Sequence, residues 1–331
     1  MHTPVRICGL LAVALLLPAW RPAHAEWLYR DAPIMGTRCD VELWTEDRPR
    51  GEAATLAVFD EMRRIDKEFS TYRPESEVSR VNAEAAKAPM RISKELFDLI
   101  ATSISYSQLT RGTFDITYAS VGYLYNYPEH VRPNDAQIAA ALPESNYRHI
   151  HLDAQAQTVF FDHAGVRIDF GGIGKGYAVD RGIAVLQRLG VTRAMVNAGG
   201  DSRIIGDRFG KPWIIGIRDP DDRTHTILKI PLSDTAFSTS GDYERFFDEN
   251  GVRYHHILDP RTGKSPHVVR SVTIIGPYAT RTDALTKSVF VMGVKDGIAF
   301  INTLPDIDAV AVTPDRKVWY SKGLENPAAP K

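Results

Sequence analysis

Residues 167–182, "RIDFGGIGKGYAVDRG", place four glycines within six positions beside the single lysine of the stretch, Lys175. The residues before the glycines are predicted to form a strand, and those after them a helix. Backbone N–H groups at the start of a helix can bind an anion, and the helix dipole favours negative charge there. The stretch is therefore a candidate phosphate-binding turn, although glycine-rich turns of this kind also allow simple close packing.

Two known phosphate-binding signatures do not fit the stretch. A Walker A loop would require glycine at the position of Asp169 and serine or threonine at the position of Gly176. The GxGxxG fingerprint of the dinucleotide-binding fold is also missing. A lysine beside the turn favours phosphate because its ammonium group is a compact positive charge. The phosphate compound has to be identified from other parts of the chain.

The pattern of apolar residues predicts an α+β fold. Helical spacing and capping residues such as Ser93 and Gly190 mark helices that are separated by long runs of short strand candidates. The predicted helices cover about residues 51–72, 93–109, 176–190 and 282–292. The strand candidates are "MGTRCDVELW", "RAMVNAG", "SRIIG", "KPWIIGIRD", "HTILKIPL", "YHHILDP", "SVTIIG", "AVAVTP" and "KVWYS". Because these strands follow one another by short turns, we expect antiparallel sheets with packed helices rather than a doubly wound parallel sheet.

The strand before the glycine turn is predicted to belong to a hairpin. The segment "TVFFDHAGVRIDFGG", residues 158–172, has two apolar runs separated by a turn at 163–165. This hairpin would place Asp169 and the glycines at the start of the following helix.

Residues 1–25 are predicted to be a cleaved signal peptide. Arg6 precedes an apolar core, and "AHA" ending at Ala25 is a small-residue cleavage pattern. Cys8 lies before the apolar core with no such site ahead of it, so we do not expect a lipid anchor. We therefore expect an exported, periplasmic protein with one domain at 26–320 and a disordered tail at 321–331.

The charge composition excludes two classes of binding partner. The formal net charge of −1 offers no broad positive field for nucleic acid or an anionic membrane, so no nucleic-acid partner is expected.

Cys39 is the only cysteine after cleavage at Ala25, so no disulfide can form within the mature chain. Cys39 is either a small core residue or a reactive thiol.

Eight motifs, in order along the mature chain, resemble those of the ApbE family of FAD:protein FMN transferases. They are "IMGT", "FSTYRPESEVSRVN", "GTFDIT", "IDFGGIGKGYAVD", "VNAGGD", "STSGDY", "HILDPRTG" and "TDAL". The resemblance implies an α+β fold with T-fold-like antiparallel sheets. It also implies an enzyme that binds FAD and, with Mg²⁺, transfers the FMN half to a threonine or serine hydroxyl of another protein, releasing AMP. The targets in this family are exported flavoproteins of electron-transfer complexes.

The resemblance also assigns roles to individual residues. The expected FAD-binding residues are Met35, Tyr72, Thr113, Phe114, Asp115, Asp169, Lys175 and His256. The expected Mg²⁺ ligands are the Gly172 carbonyl and the Asp283 carboxylate, which are the hard oxygen ligands that this ion prefers. The expected catalytic residues are Lys175, His256 and Asp283. Without the motifs, core packing would explain Met35, Tyr72 and Phe114, backbone capping would explain Asp115, and the helix dipole would explain Asp283.

Two adjacent histidines are expected to differ in role. His256 matches the cofactor-site histidine of the family, where an imidazole could take the proton of the incoming hydroxyl or contact the pyrophosphate. His255 would point to the opposite face of a strand and is predicted to be structural.

Lys287 departs from the family pattern. Relatives place a threonine that helps to hold the metal at this position, one helical turn after Asp283. The lysine could replace part of the charge of the ion, remove the ion and with it the activity, or point outward without consequence. Three functions therefore stay open: transfer of FMN to a protein, which we favour, simple FAD binding, and hydrolysis of FAD to FMN and AMP.

Overall fold

The computed structural model describes residues 25–222 and 224–325, and within them it shows antiparallel sheets with helices packed against them. The predicted α+β class is confirmed. Apart from Ala25, the predicted signal peptide lies outside the described residues.

The secondary structure follows the chain in fifteen strands and nine helices within the described residues. The strands are β1 (Glu26–Ile34), β2 (Thr37–Thr45), β3 (Met90–Arg91), β4 (Ile150–Asp153), β5 (Thr158–Phe161), β6 (Ala194–Ala198), β7 (Asp201–Ile205), β8 (Trp213–Arg218), β9 (Thr226–Leu232), β10 (Ala236–Gly241), β11 (Phe246–Glu249), β12 (Val252–His255), β13 (Ser271–Gly276), β14 (Asp308–Val312) and β15 (Val318–Tyr320). The helices are α1 (Arg48–Phe69), α2 (Glu77–Glu84), α3 (Lys94–Leu109), α4 (Ala119–Gly122), α5 (Asp135–Ala141), α6 (Gly174–Arg188), α7 (Ala279–Met292), α8 (Val294–Ile301) and α9 (Lys322–Glu325).

The main sheet has eight strands in the order β1-β2-β6-β7-β10-β13-β14-β15, and every neighbouring pair is antiparallel. Smaller antiparallel sheets are formed by β3-β5-β4, β8-β9 and β11-β12. The order brings β7 beside β10 although 30 residues separate their ends, and it therefore gathers motifs that are distant in sequence at one edge of the sheet.

Helices α1, α6 and α7 pack against the main sheet, and their spacing depends on glycine. An added Cβ at Gly182 would lie 2.9 Å from Val58 Cγ1, so α6 could not approach α1 as it does with a larger residue there. An added Cβ at Gly176 would lie 2.7 Å from Asp283 Cβ and still closer to the Ala279 carbonyl. Gly176 therefore lets the first turn of α6 rest directly on the first turn of α7.

The predicted hairpin at 158–172 is wrong. The strand β5 pairs with β3 and β4, and residues 166–170 belong to no strand. The Asn82 side chain bonds both the N–H and the C=O of Ile168, at 2.8 and 2.9 Å, and Ser120 Oγ accepts from the Arg167 N–H. Side chains therefore satisfy the backbone groups that a hairpin would have paired.

Two further predictions are corrected at strand and domain ends. The "YHHILDP" strand ends at His255, so His256 follows the strand rather than lying within it. The tail predicted as disordered from residue 321 begins with helix α9. Ser321 Oγ bonds Asp308 and the Ala309 N–H, and Leu324 packs on a small apolar cluster, which holds this segment against β14. Residues 326–331 lie outside the described residues.

Cys39 lies in the core of β2 and is fully buried. Burial raises the pKa of its thiol to about 12, so it remains protonated and acts as a small core residue.

No helix among residues 25–222 and 224–325 combines the length and apolar character needed to cross a bilayer.

The contact between α6 and α7 gives the first testable prediction. We expect Gly176→Ala to destabilise the protein by about 2–3 kcal/mol, because the new methyl group meets backbone that cannot move aside. The free energy of unfolding in urea at neutral pH measures this. Gly174→Ala is the matched control, because its Cβ would meet only the Phe170 side chain at 3.3 Å. Equal stability of the Gly176→Ala and Gly174→Ala proteins would contradict the close approach of the helices.

Candidate active site

The candidate site is centred on Asp283, a carboxylate in the first half of α7 with no exposed surface. Its Oδ2 accepts a hydrogen bond from the Gly176 N–H at 3.0 Å, and its Oδ1 is bonded by the Lys287 ammonium one helical turn later. Lys175 Nζ lies 3.9 Å from Oδ2 and forms a shorter ion pair with Asp201 of β7. One buried carboxylate thus joins the glycine turn, α7 and the central sheet.

The charges of this cluster support one another. Burial lowers the pKa of Lys175, but the negative charges of Asp201 and Asp283 have the larger effect. The pKa of Lys175 is therefore raised, and its ammonium group stays charged. Burial likewise opposes the charge of Asp283, but Lys175 and Lys287 outweigh it and hold the pKa of Asp283 below its usual range. Asp201 differs, because burial and the negative charge of Asp283 raise its pKa.

Asp201 carries an unsatisfied atom that points to a ligand. Its Oδ2 is paired with Lys175, but its Oδ1 is buried and has no hydrogen-bond partner among the described residues. A buried carboxylate oxygen without a partner is costly, so a bound group or an ordered water is expected beside it.

Gly172 lies close to Phe114, a predicted site residue, and to Lys287. An added Cβ there would be 3.2 Å from Phe114 Cε2 and 3.6 Å from Lys287 Cγ, so a larger residue would crowd the Phe114 ring. Phe114 is buried and packs edge-on against Tyr106. Its side chain is therefore part of the hydrophobic core beside the site.

Asp169 organises the approach to the glycines. Its Oδ1 accepts from the Gly171 N–H at 2.6 Å and from the Tyr118 hydroxyl at 3.0 Å, and its Oδ2 accepts from the Thr71 hydroxyl. These bonds tie the loop after α1 to the glycine turn, so Asp169 positions the turn through contacts within the chain.

Met35 and Tyr72 lie at the outer edge of the site. Met35 occupies the tip of the β1–β2 hairpin with a φ of 55° and is half-buried against the core. Tyr72 is 84% exposed, which excludes the core-packing interpretation for this residue. A groove of about 770 Å³ runs between the hairpin and the end of α1, lined in part by Met35, Gly36, Asp66 and Arg73.

The side chains of Thr113 and Asp115 do not reach the cluster. Thr113 Oγ1 donates to the Thr110 carbonyl at 3.0 Å. The carboxylate of Asp115 accepts from the N–H and hydroxyl of Thr117 and from the N–H of Tyr147. Asp115 therefore has the capping role that its turn chemistry allowed, and the side chains of both residues are used in local hydrogen bonds.

The two histidines have different hydrogen-bond partners. His255 is buried, its Nε2 bonds the Pro266 carbonyl at 2.7 Å, and burial lowers its pKa to about 4. Burial and the positive charge of Arg245 lower the pKa of His256 to about 3, so both rings are neutral at pH 7. The His256 Nδ1 faces the Arg245 carbonyl at 3.4 Å; because a carbonyl only accepts, this contact favours the proton on Nδ1 and leaves Nε2 as an acceptor.

The sequence model of the ApbE family matches residues 35–311. The chain belongs to this family. It is 32% identical over 311 residues to the FAD:protein FMN transferase of Treponema pallidum, covering 88% of this chain and 86% of that protein. It is 31% identical over 328 residues to the FAD:protein FMN transferase of Vibrio cholerae, covering 96% and 97%.

Solved structures of ApbE proteins share the fold. The ApbE protein of Thermotoga maritima superposes with a TM-score of 0.84 at 34% identity, covering 91% of this chain and 98% of that one. The flavin transferase ApbE of Vibrio cholerae superposes with a TM-score of 0.80 at 28% identity, covering 91% and 99%. The family resemblance drawn from eight motifs is confirmed.

The donor set of this ApbE protein fits a diphosphate. The ammonium groups of Lys175 and Lys287 lie beside the start of α6, and their side chains are 25% and 16% exposed. Arg245 adds an exposed guanidinium near the hairpin, since its Nη2 would be 3.9 Å from a Cβ on Gly36. These groups are the cationic and N–H donors that phosphate oxygens require.

Mg²⁺ fits the donor set less well than the family pattern predicted. Both oxygens of Asp283 are already bonded, Oδ1 by the Lys287 ammonium and Oδ2 by the Gly176 N–H. The prediction that Lys287 could point outward is wrong, because its ammonium lies against the oxygen that the ion would use. We therefore assign no step of the reaction to the ion.

Two members of the site were missed by sequence reasoning. Asp201 lies in the quoted "VNAGGD" motif and Arg245 follows the quoted "STSGDY" motif, but neither was given a role. Their positions depend on the pairing of β7 with β10 and on the loop between β10 and β11, which the sequence pattern does not reveal.

Proposed function

We propose that this protein is an FAD:protein FMN transferase, which moves FMN from FAD to a threonine or serine hydroxyl of a target protein and releases AMP. The observation that carries the proposal is the pair of buried lysine–carboxylate contacts at the start of α6, in a chain of the ApbE family. That cluster holds two ammonium groups at one point, and the diphosphate is the part of FAD that such groups bind.

In the proposed reaction the target hydroxyl oxygen bonds to the FMN-side phosphorus of FAD. The bond from that phosphorus to the bridging oxygen breaks, and AMP leaves with the oxygen and its electron pair. The hydroxyl proton passes to a base, and the product is a phosphoester between FMN and the target.

Lys175 and Lys287 stabilise the negative charge that builds up on the phosphoryl oxygens and on the departing AMP. Both ammonium groups are held in place by carboxylates before the substrate arrives, so little reorganisation is needed during the reaction. Their partners Asp201 and Asp283 position them and do not touch the phosphorus.

His256 is the proposed proton acceptor. Its Nε2 is the free acceptor when Nδ1 faces the Arg245 carbonyl. With a pKa of about 3 the ring is a weak base on its own, but a neighbouring diphosphate favours the protonated form and raises this pKa.

The formal charges suggest a reduced need for Mg²⁺. The carboxylates of Asp201 and Asp283 balance the ammonium groups of Lys175 and Lys287, so the buried cluster is neutral. A threonine at position 287 would leave it one unit negative, and a divalent cation would then be needed before a diphosphate could bind. Lys287 supplies one of the charges that the ion would bring, and Mg²⁺ bound through water or through Asp201 Oδ1 would supply further charge when present.

We also propose that the protein works outside the cytoplasm on an exported flavoprotein of an electron-transfer complex. The signal-peptide pattern of residues 1–25 supports export, and the groove of about 770 Å³ beside Met35 is open to solvent and accessible to a partner. The negative formal charge of the chain gives no support for a nucleic-acid partner.

Incubation with FAD and a target domain that carries an acceptor threonine tests the proposed activity. We expect flavin fluorescence on the target band of a denaturing gel, and we expect Lys175→Met to lower the rate by about 100-fold because it removes a charge that stabilises the transition state. Lys295→Met, an exposed lysine on α8, is the matched control. Free FMN and AMP without labelled target would indicate a hydrolase, and bound but unchanged FAD would indicate a binding protein; either outcome contradicts the proposal.

Replacing Lys287 by threonine tests its role in the metal dependence. We expect the wild-type protein to keep part of its transfer rate in EDTA, and we expect Lys287→Thr to lose at least about tenfold more of its rate in EDTA and to recover with Mg²⁺, because the cluster then lacks one positive charge. Initial rates with and without Mg²⁺ give the comparison, with Lys295→Thr as control. An identical metal requirement in wild type and Lys287→Thr would disprove this role.

A further inference from the structure

A group of imidazole and carboxylate side chains lies at the end of the β4-β5 pair, apart from the cluster around Asp283. His149 precedes β4, His151 lies within it, and Asp162 and His163 follow β5. The possible ligand atoms of His149, Asp162 and His163 all lie within 4.8 Å of one another. Neither the flavin-transfer proposal nor the family motifs give these residues a role.

Hydrogen bonds orient the carboxylate at the centre of this group. Asp162 Oδ1 lies 2.7 Å from His149 Nδ1, and Asp162 Oδ2 lies 2.7 Å from His151 Nε2. The His149 and His163 rings are in contact, with centroids 4.1 Å apart. His163 Nδ1 lies 3.3 Å from Glu144 Oε2, a buried oxygen without a hydrogen-bond partner among the described residues.

The contacts of His149 suit a cation at its Nδ1. Its Nε2 faces the Pro143 carbonyl at 3.2 Å, and because a carbonyl only accepts, Nε2 carries the proton. In a neutral ring the Nδ1 lone pair then faces Asp162 Oδ1 at 2.7 Å, so that two acceptors meet. A proton or a metal ion between the two atoms removes this repulsion.

The electrostatic balance also favours a cation. Among residues 25–222 and 224–325, neither Asp162 nor Glu144 forms an ion pair with a lysine or arginine; their only charged-group partners are the histidines. Imidazole nitrogen and carboxylate oxygen are the ligands that zinc and similar divalent transition metals prefer. The side chains of Asp162 and His163 are 39% and 48% exposed, so an ion has direct access.

We propose that His149 Nδ1, Asp162 and His163 bind one divalent transition-metal ion of the zinc class, with His151 and Glu144 orienting the ligands. His151 bonds the second oxygen of Asp162, and Glu144 faces the Nδ1 of His163, which leaves Nε2 of that ring for the ion. A tetrahedral zinc site separates ligand atoms by about 3.3 Å, so the Nδ1 to Oδ1 distance must open by about half an ångström. Solvent completes the coordination.

The site is placed to stabilise the chain segment that leads into the active site. Asp162 and His163 begin the turn that continues through residues 166–170 to Asp169 and the glycines. An ion held by His149, Asp162 and His163 joins this segment to the residue before β4, and binding of the ion to the folded state alone raises stability. The proposal does not depend on the flavin-transfer activity.

Zinc binding to the tag-free mature protein tests the site, with Zn²⁺ competing against a chromophoric chelator. We expect one ion per chain at this site, at least about tenfold weaker binding in His163→Ala and in Asp162→Asn, and unchanged binding in His225→Ala. His225 is the matched control, since it forms an exposed pair with Asp222 at 2.6 Å, and that pair belongs to no three-ligand group in the part of the chain that the structure describes. Circular dichroism checks that each variant is folded.

Copper provides a second measurement that reports the ligands directly. The electron paramagnetic resonance spectrum of bound Cu²⁺ should show hyperfine splitting from two imidazole nitrogens in the wild type and from one in His163→Ala. Wild-type protein that binds no zinc, or zinc affinity that survives both His163→Ala and Asp162→Asn, would overturn the proposal.

Discussion

The active-site arrangement depends on one buried carboxylate, Asp283, and on the groups that compensate its charge. An ionised carboxylate without exposed surface is tolerated only when hydrogen bonds and opposite charges surround it. Here the Gly176 N–H, the Lys287 ammonium and, at longer range, Lys175 provide them. The same contacts hold α6 against α7 and keep two ammonium groups ready at the start of a helix. Packing and chemistry are therefore set by the same atoms.

Glycine at position 176 makes this arrangement possible. The first turn of α6 can donate to Asp283 only because no Cβ stands between it and the Ala279 carbonyl. The sequence pattern alone allowed either packing or phosphate binding as the reason for the glycines. Gly176 serves the packing of α6 on α7, whereas Gly172 lets the turn pass close to Phe114 and Lys287.

Much of the fold and part of the site could be predicted from local sequence signals. Local signals include the N-cap Ser93, the glycine at position 190 that ends α6 and the helical spacing of apolar residues in α1. The pairing of Asp283 with Lys287 is also local, because the two residues are one helical turn apart. The false hairpin and the missed roles of Asp201 and Arg245 have a different origin. They depend on contacts between distant segments, such as the bonds of Asn82 to Ile168, which no periodicity reveals.

A crystal structure of the protein with FAD, prepared without acceptor protein, tests the central claim most directly. We predict diphosphate oxygens within about 3 Å of the ammonium groups of both Lys175 and Lys287, above the first turn of α6. A diphosphate bound elsewhere, with both lysines still paired only to Asp201 and Asp283, would contradict the account.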